Sequence, residues 1–266
     1  MLFQKLAKIR FLRSIVLPIL KKFDITIVIF HDLTKRIFFL KLWSHKGYWF
    51  YGSKRESNEI NIFKNLICNS SQVLEIGAHI GYLTQFFEYL VYPLGKVYVV
   101  EPSPNNRKFL KKNVKKSTLI LPIALSNKLG EEKFFIDSYG GFTNSLKKDF
   151  TFSKNNELKM TQFTNNSKVS SIEVEVSTID IICKKYKLQP DFIKIDVEGL
   201  ELEVLQGGKE VLKSTKTLMV EISNNHEKIF NILEMHDFNP LDDAGNKVDW
   251  SAIKKEKLNK NFFFMK

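Results

Sequence analysis

The chain has little of what marks fibrous, disulfide-bonded or membrane-spanning proteins. With 12 Gly and 7 Pro in 266 residues, it lacks the composition of collagen-like or low-complexity disordered chains. Its two cysteines, Cys68 and Cys183, stand too far apart for a metal knuckle or a redox pair. The longest apolar runs, residues 15–20 and 25–30, are far shorter than the roughly 18 residues of a membrane-spanning helix. We therefore expect a globular protein with reduced thiols in the cytoplasm.

Positive charge is concentrated near the N-terminus. The net charge is +12, and residues 1–55 carry twelve Lys or Arg against two Asp, a net charge of +10. Residues 1–22 place apolar and basic side chains in a helical rhythm, which predicts a basic amphipathic helix. This helix could pack on the main domain, or it could make peripheral contact with an anionic membrane. Arg10 and Arg13 interrupt the apolar region that a cleaved signal peptide needs.

The hydrophobic pattern divides the chain into a small extension and a larger alternating region. Residues 25–30, 36–43 and 48–51 are typical of strands, and with the basic helix they form an N-terminal extension over residues 1–52. Strands and helices alternate over residues 53–266. The predicted strands cover residues 73–76, 96–100, 118–123, 191–195 and 218–221, and the predicted helices cover residues 57–67, 81–92, 104–113, 178–187 and 200–206. Apolar strands alternating with helices predict an α/β fold with a doubly wound, mostly parallel sheet.

One segment departs from this alternation. Residues 138–170 are rich in Ser, Thr, Asn, Gly and Lys, and they lie between strand-like residues 132–136 and 172–176. We expect a loop insertion here. It is either a variable surface loop or a lid that recognises a substrate.

A glycine-containing turn follows the first core strand. Gly77 and Gly81 permit a tight strand-to-helix turn and let a ligand approach the backbone. The next strand ends in Glu101, where an acidic residue reaches the two ribose hydroxyls of a bound nucleoside. The dinucleotide motif is incomplete, and Glu75 in the turn disfavours phosphate but suits a cationic ligand. These features favour S-adenosylmethionine over NAD.

A run of charged residues follows the fourth core strand. Lys194, Asp196 and Glu198 come to the carboxyl edge of the sheet, where open α/β folds bind their ligands. Lys194 and Asp196 point to one side by strand alternation, and Glu198 falls in the turn before the next helix. In a purely structural role, Glu198 would cap that helix and Asp196 would pair with Lys194. Charged residues in such a run are nevertheless rarely buried in an apolar core.

Five short segments stand out in order along the chain. They are Glu-Ile-Gly-Ala-His-Ile-Gly at residues 75–81, Val-Val-Glu-Pro-Ser-Pro at 99–104, Pro-Ile-Ala-Leu-Ser-Asn at 122–127, Phe-Ile-Lys-Ile-Asp-Val-Glu-Gly at 192–199 and Met-Val-Glu-Ile at 219–222. This set resembles the FkbM family of S-adenosylmethionine-dependent methyltransferases over residues 53–222, and the fourth segment is the most specific. The resemblance implies a Rossmann-like class I methyltransferase fold with S-adenosylmethionine as cofactor.

The resemblance also implies roles for single residues around the cofactor. The implied cofactor-binding residues are Glu75, Gly77, Ala78, His79, Gly81, Tyr82, Glu101, Pro102 and Ala124. Glu101 would hold the ribose hydroxyls, and Ala124 would border the adenine. The family usually has Asn where this chain has His79, so His79 is either a tolerated contact or a titratable group beside the transferred methyl.

Methyl transfer to a hydroxyl requires a general base that removes the proton as the new bond forms. The candidates are Asp196, Glu198 and His79, of which Asp196 is the first choice. Lys194, Asp196 and Glu221 are the expected substrate-binding residues, Glu221 standing at the end of the fifth core strand. We expect no metal ion among these carboxylates.

The resemblance favours a small-molecule or glycan acceptor, with a hydroxyl of a sugar, glycolipid or polysaccharide precursor in first place. The chain lacks the Asn/Asp-Pro-Pro-Tyr/Phe signature of amino-directed nucleic-acid methyltransferases, the P-loop and any zinc spacing. The alternative is a nucleic-acid-binding protein or RNA methyltransferase whose basic extension contacts phosphates and whose Trp43, Tyr48, Trp49 and Tyr51 stack on bases. We consider nucleic acid the less favoured partner. A third possibility is a cofactor-binding scaffold without activity.

Overall fold

The computed structural model describes residues 19–52, 57–137, 140–151, 169–254 and 260–266. Most of the predicted basic helix lies outside these residues, although residues 19–22 are helical. The chain divides after Ser57 into two compact units.

The first unit is built on an antiparallel β-hairpin. Strand β1 (Thr26–Phe30) pairs with β2 (Ile37–Lys41) in a register that sets Val28 opposite Phe39. Alternation along β2 buries Phe38 and Leu40 completely, which gives the hairpin one inner face. After β2 the chain turns, and the Asp24 carboxylate accepts hydrogen bonds from the backbone N–H groups of Trp43 and Ser44.

The predicted third strand of this unit is wrong. Residues 48–51 belong to a helix, α1 (Lys46–Tyr51), and not to a strand. Their aromatic content favours strands, but packing against the hairpin decides the local structure here. The buried Tyr48 ring contacts the Phe38 ring at a centroid distance of 6.0 Å, and Trp49 Nε1 donates to the Leu42 carbonyl at 2.8 Å.

The second unit contains a seven-stranded central sheet. Its strands are β3 (Gln72–Ile76), β4 (Lys96–Val100), β5 (Leu119–Leu121), β9 (Phe192–Ile195), β10 (Thr217–Ile222), β11 (Asn239–Leu241) and β12 (Lys260–Met265). They lie in the order β11-β12-β10-β9-β3-β4-β5. All pairings from β10 to β5 are parallel, and β12 runs antiparallel to both its neighbours. The expected mostly parallel, doubly wound sheet is confirmed.

Helices alternate with these strands as the periodicity predicts. They are α2 (Ser57–Leu66), α3 (Tyr82–Leu90), α4 (Pro104–Asn113), α5 (Ile179–Tyr186), α6 (Glu201–Gln206), α7 (Lys209–Ser214), α8 (His226–Met235) and α9 (Trp250–Ile253). Helix α4 begins where Ser103 accepts a hydrogen bond from the Asn106 N–H, with Pro104 at the first helical position. Helix α6 ends at Gly207.

The predicted third core strand is shorter than expected. Strand β5 stops at Leu121, because the chain bends after it and forms a separate pairing as β6 (Ala124–Leu125). Strand β6 belongs to a second, three-stranded sheet with β7 (Gly130–Ile136) and β8 (Ser170–Ser177). The pairing of β7 with β8 is antiparallel, so the loop insertion connects the two strands of a hairpin.

The core lies between the central sheet and its helices. Ile76, Ile193 and Val220, from three adjacent strands, are fully or almost fully buried in one apolar cluster. On the other face, the Phe63 ring of α2 contacts Phe87 and Phe192 edge-on, with centroid distances of 5.1 and 5.8 Å. Among the described residues, no helix is both long and apolar enough to cross a bilayer.

This topology determines where a ligand can bind. The strand order reverses at β3. From β3 the chain continues to the neighbouring strand β4 on one side, and it forms the neighbour on the other side, β9, only later in the sequence. In open α/β sheets the ligand crevice lies at the carboxyl ends of the strands at such a reversal. The glycine turn, Glu101 and the charged run all follow these three strands.

Candidate functional site

The glycine turn lies against the end of β9. A Cβ atom on Gly77 would stand 1.8 Å from the Asp196 carbonyl oxygen, and the φ of Gly77 is +87°. Only glycine therefore allows this close approach and this backbone conformation. Gly81, with a φ of +89°, is the N-cap of α3, so the first helical N–H groups of α3 face the same crevice.

Glu101 closes the turn from the neighbouring strand. Its Oε2 accepts a hydrogen bond from the His79 N–H at 2.8 Å, and its Oε1 accepts one from the Ser103 N–H at 2.8 Å. Asn106 Nδ2 adds a contact of 3.2 Å to Oε1. Burial raises the pKa of Glu101 to about 7, although these hydrogen bonds and Arg107 oppose the rise.

Glu75 lies below the turn and is almost completely buried. Thr84 Oγ1 donates to its Oε2 at 2.5 Å, and Lys194 Nζ lies 3.9 Å from its Oε1. The charge of Glu75 therefore offsets that of the buried Lys194. Its direct contact with a cofactor stays a prediction.

Lys194 links Glu75 to two carboxyl groups at the edge of the sheet. Its Nζ donates to Asp196 Oδ2 at 2.9 Å, and Asp196 is hydrogen-bonded in turn to Glu221. Burial by itself raises the pKa of Asp196, but the Lys194 charge and these hydrogen bonds bring it below its ordinary value. The pKa of Glu221 is raised to about 10, mainly by the charge of Asp196 and secondly by burial. The two carboxyl groups therefore share one proton at neutral pH.

Glu198 completes a cluster of three carboxyl groups. One oxygen each from Asp196, Glu198 and Glu221 lies within 4.8 Å of the others, a spacing that a divalent cation could bridge. Lys194 and the shared proton already compensate part of the charge. The expectation that no metal binds here stays a prediction.

Of the two purely structural roles expected for the charged run, the structure shows one and contradicts the other. The pairing of Asp196 with Lys194 is present. Glu198 does not cap α6, whose N-cap is Leu200 without a side-chain hydrogen bond. Glu198 instead has a φ of +52°, and His79 has a φ of +51°. Non-glycine residues with such values are uncommon and concentrate at functional sites.

The loop insertion contacts the site through His79. The His79 ring lies 4.5 Å from the Phe142 ring between centroids, and its Nε2 is 2.6 Å from the Gly140 carbonyl oxygen. A carbonyl oxygen only accepts hydrogen bonds, so Nε2 carries a proton and donates. His79 therefore joins the glycine turn to the insertion, and its expected role beside the transferred methyl stays a prediction.

The same insertion also contacts the turn after β9. Ser145 Oγ donates to the Glu198 carbonyl at 2.8 Å, and Lys147 Nζ donates to the Gly199 carbonyl at 2.7 Å. Lys147 also forms an ion pair with Glu203 at 2.9 Å. The described part of the insertion thus connects both polar turns of the crevice.

The remaining predicted cofactor residues are distributed along the same crevice and the second sheet. Ala78 and Tyr82 are buried in the turn and at the start of α3. The Pro102 carbonyl accepts a hydrogen bond from Arg107. Ala124 is in β6, opposite Val176 in the three-stranded sheet, and its contact with adenine stays a prediction.

Several residues that support the site are absent from the sequence-based set. Thr84 and Asn106 hold Glu75 and Glu101 from the first turns of two helices. Glu201, almost completely buried, accepts a hydrogen bond from the Gly199 N–H at 2.8 Å, and burial raises its pKa to about 7. The position of Glu201, three residues after Glu198 in an acidic run, is the one signal that could have indicated it.

These residues fit S-adenosylmethionine. The glycine turn leaves no room for a Cβ at Gly77, α3 begins directly after this turn, and a carboxylate at the end of the second strand can accept hydrogen bonds from ribose hydroxyls. Residues 75–248 match the model of the methyltransferase FkbM domain. The chain belongs to the FkbM methyltransferase family. This FkbM protein is therefore an S-adenosylmethionine-dependent methyltransferase, as the sequence motifs predicted.

Solved methyltransferase structures resemble this FkbM protein only distantly. A precorrin-6Y C5,15-methyltransferase from Geobacter metallireducens GS-15 is 13% identical, over 79% of this chain and 86% of that chain, with a TM-score of 0.40. A SAM-dependent methyltransferase from Aquifex aeolicus is 12% identical, over 84% and 96%, with a TM-score of 0.41. Aeropyrum pernix fibrillarin, in complex with natively bound S-adenosyl-L-methionine, is 11% identical, over 78% and 73%, with a TM-score of 0.40. No curated protein matches the sequence significantly. The assignment rests on the family match.

Proposed function

We propose that this FkbM methyltransferase transfers its methyl group to a hydroxyl of a sugar, glycolipid or polysaccharide precursor. The proposal is carried by the position of Asp196. Its backbone packs on the glycine turn, and its side chain, about 30% exposed, lies at the mouth of the crevice. A carboxylate beside the methyl-donor site can accept the proton that an alcohol must lose.

The reaction needs positioning and one proton transfer. Bound S-adenosylmethionine supplies a methyl group activated by the sulfonium charge. Glu101, at the end of β4, would hold and orient the adenosyl part through its ribose hydroxyls. Asp196 would accept the proton that the acceptor hydroxyl loses on methylation. Lys194 Nζ, at 2.9 Å, holds the Asp196 carboxylate in place.

The carboxyl cluster favours a polyhydroxylated acceptor. Asp196 and Glu198, both of intermediate exposure, offer hydrogen-bond acceptors beside the proton-sharing Glu221. Adjacent hydroxyls of a saccharide are donors that complement such a group. Phosphate groups beside the target atom would be repelled by the same charges, which makes RNA the weaker candidate.

Two experiments test the proposal. Calorimetric titration with S-adenosylmethionine, S-adenosylhomocysteine and NAD should give binding of the two adenosyl ligands only. Labelled methyl donor is then offered with a panel of saccharides, glycolipids and RNA, and the product is located by mass spectrometry. Methylation of a carbon, a nitrogen or RNA in preference to a saccharide hydroxyl would contradict the proposed acceptor.

Asp196→Asn is the variant that tests the base. It should keep cofactor affinity and lower kcat by about 100- to 10,000-fold, the usual contribution of a positioned general base. Glu173→Gln, at an exposed position on β8, serves as the matched control and should leave kcat unchanged. Full activity of Asp196→Asn would remove Asp196 from the proton transfer.

A further inference from the structure

The outer face of the N-terminal hairpin is apolar and exposed. In the register of β1 with β2, Val28 stands opposite Phe39 and Phe30 opposite Ile37, so these four side chains share one face. Val28 is 55% exposed, Ile37 54% and Phe30 73%. On the inner face of the same hairpin, Phe38 and Leu40 are completely buried, so this unit packs through that face.

Two further apolar side chains before β1 are exposed, and strand alternation turns Ile25 to the face opposite Val28. Phe23 and Ile25 are 58% and 56% exposed, and the backbone at Ile25 extends the ladder through a hydrogen bond from the Leu42 N–H. We call Val28, Phe30, Ile37 and Phe39, which share the outer face of the hairpin, the hairpin apolar surface. Contiguous exposed apolar side chains of this kind mark sites of contact with a protein or a membrane.

Basic residues lie at both ends of this surface. Lys21 and Lys22 precede it and are exposed, and the turn between the two strands carries Lys35 and Arg36 against one acidic residue, Asp32. The carboxylate of Asp24 is held by the Trp43 and Ser44 N–H groups, so that charge is directed to the turn after β2. The surface is thus apolar at its centre and positive at its ends.

We propose that the hairpin apolar surface inserts into the interface of an anionic lipid bilayer. Apolar side chains can enter the boundary between headgroups and acyl chains, while lysine and arginine contact acidic headgroups. The net charge of +10 in residues 1–55 complements such a bilayer. The hairpin apolar surface itself lies outside residues 1–22, for which the sequence predicts membrane contact, and the proposal does not depend on the acceptor of the methyl transfer.

The experiment is sedimentation of the full-length protein with vesicles of phosphatidylcholine alone and with added phosphatidylserine. We expect binding to the anionic vesicles that weakens as salt is added, because exposed charges are screened. The double variant Val28→Ser/Phe30→Ser should bind at least about tenfold more weakly, since both side chains lose apolar area that would leave water. Val28 and Phe30 are exposed, so unchanged thermal unfolding will show that the variant remains folded.

The matched control removes apolar side chains from the other unit. Leu129 and Met235 are 62% and 83% exposed, and Leu129→Ser/Met235→Ser should bind the vesicles as the unaltered chain does. Equal binding by the Val28→Ser/Phe30→Ser variant would overturn the proposal, because the basic N-terminus alone would then suffice. Absence of vesicle binding would also overturn it. So would a dimer in sedimentation velocity that this variant dissociates, which would identify a second copy of the chain as the occupant.

Discussion

Single residues at the crevice combine backbone strain with buried charge. His79 and Glu198 both have a positive φ, and each lies in a turn that the loop insertion contacts. Such conformations cost about 1–3 kcal/mol each and persist where surrounding contacts hold them. Glu101 and Gly77 lie in the same crevice and make close contacts with neighbouring turns.

Glu101→Gln should weaken S-adenosylmethionine binding by about 1–3 kcal/mol, the range for a charged hydrogen-bond partner that is lost. The amide keeps the volume and can still accept from His79 or Ser103, but its charge is lost. Calorimetric titration measures the dissociation constant. Glu175→Gln, at an exposed position on β8, is the matched control. An unchanged dissociation constant for Glu101→Gln would remove this residue from the ribose site.

Cofactor affinity should depend on pH through the same carboxyl group. The pKa of Glu101 is raised to about 7, and ribose hydroxyls donate best to the ionised form. The dissociation constant should therefore fall as pH rises, by up to about tenfold per pH unit below about pH 7, and then level off. Glu101→Gln should flatten this profile, and a profile equally steep in both proteins would assign the titration to another group.

Without cofactor, the raised pKa of Glu101 affects stability in the opposite direction. The folded state binds this proton more tightly than the unfolded state, whose carboxyl has the ordinary value of 4.5. The stability contribution is therefore fully present below pH 4.5 and is lost as pH rises through about 7. Denaturant unfolding of the cofactor-free protein and of Glu101→Gln across this window measures the difference.

Gly77→Ala should destabilise the fold strongly. The new Cβ would meet the Asp196 carbonyl oxygen at 1.8 Å and would require a φ that alanine rarely adopts. Gly130→Ala is the matched control, because Gly130 also has a positive φ but a Cβ added there would meet no atom within 4 Å. We expect Gly77→Ala to lose at least about 2 kcal/mol more than Gly130→Ala, measured by denaturant unfolding. Equal losses would indicate that only the backbone angle matters at Gly77.

At the scale of elements, the site forms where the ends of three strands and one loop lie close together. Strands β3, β4 and β9 supply the polar residues because parallel neighbours end at the same edge. The insertion between β7 and β8 contacts two of the resulting turns through Gly140, Ser145 and Lys147. Its expected role in recognising the substrate stays a prediction.

Lys147→Met tests the link between the insertion and the turn after β9. The substitution removes the hydrogen bond to the Gly199 carbonyl and the ion pair with Glu203. We expect the KM for the acceptor to rise by about tenfold, the effect of about 1.4 kcal/mol, with cofactor affinity unchanged. Lys133→Met, at an exposed position on β7, is the control. A parallel loss of cofactor affinity would show a general structural role for Lys147.

At the scale of the whole molecule, charge and chemistry belong to different units. The crevice lies in the second unit, whereas residues 1–55 carry +10 of the net charge of +12. Charge of this kind attracts anionic partners over about a Debye length and does not specify a fold.

Removal of residues 1–52 should therefore separate the two properties. The shortened protein keeps α2, whose Phe63 packs on Phe87 and Phe192. We expect its affinity for S-adenosylmethionine to stay within about twofold of the full chain, while binding to anionic vesicles is lost. Calorimetry and vesicle sedimentation measure the two quantities. Retained vesicle binding would assign the membrane contact to the second unit.

The sequence by itself determined the order and type of the core elements. A strand buried on both faces produces a continuous apolar run in the sequence, and a helix start produces a capping pattern such as Ser103 followed by Pro104. Both patterns depend only on residues that are neighbours in the chain. The motifs around Gly77, Glu101 and Asp196 indicated the cofactor for the same reason, since each is a short segment at a strand end. The family assignment was therefore available from the sequence.

Only the tertiary structure decided which side chains meet. Residues 48–51 are helical because Tyr48 and Trp49 pack on the hairpin, which local propensity does not record. The proton held between Asp196 and Glu221 arises from two strands that are adjacent in space and 25 residues apart in the chain. Contact between His79 and Gly140 likewise depends on how the insertion folds back. Such contacts are set by long-range packing, and local sequence patterns do not encode long-range packing.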